Sequence, residues 1–379
     1  MTTVNHDYPK NNIGREIIPM KIINQTKREN LYFYVVGTTD PKNPANHCYF
    51  LSDFNGNVTL CTLVKGETSY SLCLTEAETT IQLPRLSGMR IYFSFDKKLN
   101  VLVQENGIPS APAGWVQGSN FQTLFDWAEF TWEVNATDMT LGGNVTQVDM
   151  FGLPFAFSLT GFDPNGQPVT LVGGFSSGGL RHKIFNALKQ APAPWNNLVV
   201  SNAATGEDYR AISPYHGMEF DQLFPYDQLD NYINQVWEKY TTETLTATAE
   251  NAIFTGQVSE GNLVFTSSTD RTITFPKPNS FMVYTSGPMP TVDSKKAGVI
   301  QAALQAAFMR STLLLSSSLP DCNVADFYQG EPVNLYAKTL HEFSMDGKAY
   351  GFGFDDVCSE SSTVIVHNPL SAQITLLEF

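Results

Sequence analysis

The sequence predicts a mainly β protein with an α/β part set into it, and three observations carry that reading. Short apolar runs divided by turn residues fill Ile17 to about Val103 with no helical period between them, as in a barrel or sandwich. Helical spacing begins only after about Gly166. Strand-like runs return between Tyr350 and Phe379, where they are expected to close the first part. The expected division is a β-barrel or sandwich domain over residues 16–165, completed by 346–379, and a mixed α/β domain over 166–345. A chain of 379 residues is long enough for both.

Residues 1–15 are polar and read as a loose arm. The strands that follow include Leu31–Val36, Val58–Cys61, Tyr70–Leu74, Thr80–Leu83 and Arg90–Phe95, punctuated by Gly37, Asn55-Gly56 and Ser87-Gly88. Pro109–Ser119, with two prolines and two glycines, reads as a loop. Past Gly166 the helices are expected at Gly179–Lys189, Tyr226–Tyr240 and Ala297–Leu315, the last ended by three serines and Pro320. Strands are expected between them at Asn262–Phe265 and Ser280–Tyr284, and in the tail at Thr363–Val366 and Gln373–Leu377.

Composition excludes several functions. The excess of 37 acidic over 23 basic residues leaves a net charge of −14, which repels phosphate backbones and anionic membranes. Neither nucleic acid nor membrane is therefore an expected partner, whereas a neutral polysaccharide is indifferent to that charge. No run of 18 apolar residues occurs, and the N-terminus lacks the apolar stretch of a leader. Two expectations follow: an exported protein whose signal peptide is not in this chain, or a cytoplasmic one. The four Asn-x-Ser/Thr sequons, at Asn24, Asn57, Asn135 and Asn144, read as chance. Five cysteines form no Cys-x-x-Cys pair and no zinc-like cluster, so neither a metal nor a cofactor is expected. Their odd number leaves one thiol free or shared between molecules, with Cys61 and Cys73 open to pairing across adjacent strands.

The segment Phe130–Thr137, followed by Asn144–Met150, reads as a hairpin, with Gly142-Gly143 supplying a turn near Leu141. That symmetry sets Glu133 opposite Asp149. Phe130, Trp132, Val134, Val148 and Met150 then share an inner face. Glu129, Thr131, Glu133, Asn135 and Thr137 share the outer face with Gln147 and Asp149. Two opposed carboxylates on a wet face are what acid/base cleavage of a sugar bond needs. Their carboxyl separation, about 5–5.5 Å or about 6.5–9.5 Å, would select retention or inversion, and rotamers decide between them. A merely solvated face carries the same letters.

With these pieces assembled, the chain resembles glycoside hydrolase family 64, the thaumatin-like β-1,3-glucanases. The likeness rests on Asn144-Val145-Thr146-Gln147-Val148-Asp149, with Glu133 sixteen residues before its Asp. Ile22–Thr26, Leu31–Gly37, Tyr232–Tyr240, Ala306–Thr312 and Tyr350–Val357 support it. The resemblance implies a thaumatin-like barrel and a mixed α/β domain enclosing a wide acidic cleft for a β-1,3-glucan chain. It further implies a secreted monomer that releases short laminarioligosaccharides by inversion, with Glu133 as general acid and Asp149 as general base. Substrate contacts are expected from Asn135, Thr137, Thr146, Gln147, Tyr215, His216, Asp355 and Asp356. Strand alternation turns Thr146 away from Glu133, and the glycines at 142 and 143 leave one sugar position without an aromatic platform. Two other readings stand beside this one. A thaumatin-like protein that grips β-glucan without cutting it would carry the same surface. The string Gly174-Phe175-Ser176-Ser177-Gly178 also has the letters of a nucleophile elbow, although no alternating strands and helices precede it.

Overall fold

Alternation of apolar and polar residues makes the strands that lie between Ile17 and Gly174. A computed structural model describes residues 16–134, 138–220, 222–268, 271–285, 289–291 and 294–379. Its strands begin with β1 (Ile17–Asn24), β2 (Leu31–Thr38), β3 (Cys48–Leu51), β4 (Val58–Leu60), β5 (Leu72–Leu74) and β6 (Glu78–Pro84). They continue through β7 (Ser87–Phe95), β8 (Leu124–Val134), β9 (Met139–Val145), β10 (Met150–Phe151), β11 (Phe155–Phe162) and β12 (Pro168–Gly174). In β1, Ile18, Met20 and Ile22 are buried while their neighbours face outward, so period-two patterning fixes the face. The inward side chains meet in one apolar cluster that includes Phe33, Phe93, Phe130, Phe155 and Trp132.

The middle of the chain follows the helical period. It contains α1 (Leu180–Gln190), β13 (Val199–Ser201), β14 (Asp208–Ile212), α2 (Pro214–Glu219) and α3 (Asp230–Thr242). Next come β15 (Leu245–Ala249), β16 (Ala252–Ser259), β17 (Asn262–Thr266), β18 (Ile273–Pro276), α4 (Ser280–Thr285), α5 (Lys295–Met309), β19 (Ser318–Leu319) and α6 (Leu335–Phe343). One sheet runs β18-β17-β16-β15-β19 and a smaller one β10-β14-β13. Ser294 caps α5 by accepting the Ala297 N–H at 3.2 Å. Between those ends α5 is apolar on nearly every side, which suits a helix enclosed by a core. The run Ser280–Tyr284, expected as a strand, is the short helix α4. Five apolar residues do not distinguish the two periods, and Asn279 settles the matter by accepting the Met282 N–H at 2.8 Å.

The tail is one strand rather than two, β20 (Val364–Leu376). Its first residues pair with β9, and its later ones lie between β11 and the parallel β1. The sheet therefore runs β12-β11-β20-β9-β8-β7-β2-β3-β4, with β1 joining β20 to β6, and it curls into a nearly closed barrel. Sulfur pairing departs from the sequence reading. Cys322 and Cys358 form the disulfide, while Cys61 is buried, Cys73 is exposed, and both are free. No helix among the described residues is long and apolar enough to cross a membrane.

Candidate active site

The hairpin exists, but in another register. β8 and β9 pair Glu133 with Thr140, Thr131 with Gly142 and Glu129 with Asn144. The ladder thus runs on to Val134 and Met139, with Leu141 inside it rather than at a turn, and Glu133 does not oppose Asp149. The glycines expected in the turn lie inside β9. A Cβ on Gly143 would sit 2.6 Å from the Phe130 ring, so this position serves close packing and not chain reversal. Asn135 and Thr137, expected to touch substrate, lie outside the described residues.

The corrected register builds a row across four strands: Val36 on β2, Arg90 on β7, Glu129 on β8 and Asn144 on β9. Arg90 Nε donates to Glu129 Oε1 at 3.0 Å, and Trp127 Nε1 approaches the same oxygen at 3.4 Å. The Arg90 guanidinium lies 5.6 Å from the Trp127 ring centre, and Trp127 continues an aromatic row through Tyr92 and Tyr34. Glu129 Oε2 has no protein donor among the described residues. Burial works against the charge on Arg90, but Tyr92, Glu129 and Asp149 together raise its pKa. A groove of about 410 Å³ opens over this row, lined by Arg90, Glu129, Thr131, Gly142, Asn144, Thr363 and Ile365. A second hollow of about 230 Å³ shares Gly88 and Arg90 with it and reaches Tyr34, Val36 and Pro109.

Asp149 occupies the bend between β9 and β10 and, like Glu129, acts electrostatically on both Arg90 and Tyr92. Three anchors hold this bend. Asp126 of β8 accepts the N–H groups of Gly152 at 2.7 Å and Leu153 at 3.0 Å. The Tyr336 hydroxyl donates to the Gln147 carbonyl at 2.7 Å, and Ser213 N–H donates to the Asp149 carbonyl at 3.0 Å. Burial pushes the Asp126 carboxyl up to about 7, against those N–H bonds, which favour its charge. Because β10 pairs with β14, the helix α2 that follows β14 begins beside Asp149. His216 of α2 thereby places Nε2 2.9 Å from Asp149 Oδ1.

The other expected contacts divide. Thr146 and Gln147 are buried, so the expected wet face with Gln147 on it is corrected. Gln147 instead binds the backbone of Tyr350, whose N–H lies 3.4 Å from Gln147 Oε1 and whose carbonyl accepts the Gln147 N–H at 2.8 Å. Asp355 is fully enclosed and bonded to Arg310, His341 and the Gly351 N–H, which leaves it nothing to offer a ligand. Asp356 next to it is exposed and acts on Tyr350. Burial, followed by Asp356 and Glu129, pushes the Tyr350 hydroxyl up to about 12, so these groups share one neighbourhood. Tyr215 is half-buried, and burial, Glu219 and Asp149 push its hydroxyl up to about 12. His216 is buried. Ser176 is exposed and has no histidine bonded to it among the described residues. Sequence reasoning missed Glu129 and Arg90, although alternation had already put Glu129 on the outer face.

A groove across a barrel-like sheet thus carries Glu129 in its lining, while Asp149, on the bend after β9, acts on the same Arg90. The chain belongs to glycoside hydrolase family 64, whose beta-1,3-glucanase family model matches residues 16–376. It is 31% identical over 374 residues to glucan endo-1,3-beta-glucosidases of Cellulosimicrobium cellulans and of Arthrobacter sp. (strain YCWD3). The matched region is 96% of this chain but 65% of each relative, so the chain spans just under two thirds of their length. Among solved structures it is similar to a laminaripentaose-producing beta-1,3-glucanase in complex with laminaritetraose, with 33% identity and a TM-score of 0.85. That match covers 96% of this chain and 99% of the other. A beta-1,3-glucanase domain from Clostridium beijerinckii is 26% identical over 95% of this chain and 98% of its own, with a TM-score of 0.75.

Proposed function

We propose that this protein hydrolyses β-1,3-glucan by inversion, with Asp149 as general base and Glu129, rather than Glu133, as general acid. The observation that carries the reading is the pairing of Glu129 and Asp149 around Arg90 beside an open groove in a chain of this family. Asp149 takes a proton from water, whose oxygen bonds to the anomeric carbon. The glycosidic C–O bond breaks, and its oxygen receives the proton of Glu129. The proton gained by Asp149 and the one lost by Glu129 are then exchanged with solvent. Arg90 holds Glu129 Oε1, which leaves Oε2 to carry the working proton toward the groove. Asn144 and Thr131 line the groove as partners for neutral sugar hydroxyls, and Tyr350 feels both Glu129 and Asp356.

In this reading the groove is the floor of a wide acidic cleft between a thaumatin-like barrel domain (16–165 with 346–379) and a mixed domain (166–345). The enzyme acts outside the cell as a monomer. Incubation with laminarin or curdlan is expected to release short laminarioligosaccharides. Glu129→Gln and Asp149→Asn are each expected to lower turnover at least about 100-fold while glucan pull-down persists. Glucan retention without any released sugar by the unaltered protein would instead support the non-catalytic binder.

A further inference from the structure

We propose that His216 is a positioning residue for Asp149, turning one carboxylate oxygen away so that the other is presented to water. This rests on the reading of Asp149 as the base. The imidazole is held on two sides: Trp115 stacks on it at 3.9 Å between ring centres and 13° between planes, and its own helix α2 carries it. Its side chain is 6% exposed against 27% for Asp149. The ring thus cannot swing out, while the carboxylate it holds still reaches solvent. Nε2 stands 2.9 Å from Asp149 Oδ1, and Asp149 Oδ2 has no protein donor among the described residues.

The tautomer follows from the other nitrogen. Nδ1 is buried, makes no hydrogen bond among the described residues and lies 3.9 Å from Glu219 Oε2. A bare lone pair is cheap to bury and an unsatisfied N–H is not, so the proton sits on Nε2 and donates to Oδ1. A carboxylate held by one donor loses its rotation and keeps its charge, both of which a base requires. The bond joins residues 67 apart in the chain, through the β10–β14 pairing, so the device belongs to the assembled fold. Ionisable groups facing the pair are Glu219 and Tyr215 from α2, Arg90 and Tyr92 from β7, and Tyr336 from α6.

Two replacements separate orientation from bulk. His216→Phe keeps a ring against Trp115 and removes the donor, whereas His216→Gln removes the ring and keeps a donor. On laminarin, His216→Phe is expected to lose about 10–100-fold in kcat with KM within about twofold. His216→Gln should recover most of kcat, because it restores a donor to Asp149 Oδ1. A folded His216→Phe with unchanged kcat overturns the inference. If circular dichroism shows that His216→Phe does not fold, His216→Gln decides alone: kcat within about tenfold of the unaltered protein supports the role, and a larger loss at unchanged Tm overturns it. Asp149→Asn run in parallel keeps the two readings apart, because an active Asp149→Asn removes the base assignment itself.

Discussion

Asp149 and Asp355 each lie 2.9 Å from the Nε2 of a histidine, His216 in one case and His341 in the other. Their surroundings differ. Asp355 is fully buried and also accepts from Arg310 at 3.0 Å and from the Gly351 N–H at 2.9 Å, while His341 Nδ1 binds the Gly347 carbonyl at 2.7 Å. Asp149 is partly open and has one oxygen unclaimed among the described residues. The same two-residue contact is therefore a brace where both oxygens are engaged and a candidate reagent where one is spare. Donor count and exposure separate them; residue type does not.

The largest effect expected from this contrast concerns Asp355. Asp355→Ala strands the Arg310 charge, which is 2% exposed, at a cost of about 3–5 kcal/mol. Its Tm should fall by several degrees, whereas Asp149→Asn should leave Tm nearly unchanged and remove turnover. Equal Tm losses in the two variants would erase the distinction. A second effect follows from pH. Burial opposes charge on His341, but Asp355 and the Gly347 carbonyl outweigh it and raise its pKa. That stabilisation is complete below the ordinary histidine value of about 6.5 and is lost as pH rises through the raised value. Thermal melts should thus show falling stability above about pH 6.5, and His341→Gln should flatten the slope.

Smaller effects test the groove itself. Arg90→Met removes the donor that holds Glu129 Oε1, so kcat on laminarin should fall about 10-fold with KM little changed. An unchanged kcat would separate Arg90 from the acid. The smallest expected change is in Glu133→Gln, which should alter kcat by less than about twofold, since this carboxylate lies four residues, or about 13 Å, along β8 from Glu129.

Much of this molecule was legible in its letters. Period-two runs placed the barrel strands, the Ala- and Leu-rich run at 297 placed the enclosed helix, and the late strands were correctly returned to the first sheet. The site was half legible. Alternation placed Glu129 and Glu133 on one face, but choosing between them required the register, and the paired glycines pointed to the wrong turn. What fixed that register was Phe130, whose ring occupies the space a side chain at 143 would fill. The role of His216 was hidden for another reason, since its contact depends on two short strands pairing far apart in the sequence. Asp355-Asp356 looked like one acidic pair, yet only the second is exposed, because burial differs between adjacent residues of a turn.

The course of β20 has a consequence for synthesis. This strand fills the gap between β9 and β11 and also lies alongside β1. Until residues 364–376 leave the ribosome, three half-paired edges stay without their partner, and the wall that will carry Glu129 stands unsupported on one side. Assembly of the N-terminal half thus waits on residues 364–376, and a chain stopped short of them would be prone to stick to its neighbours.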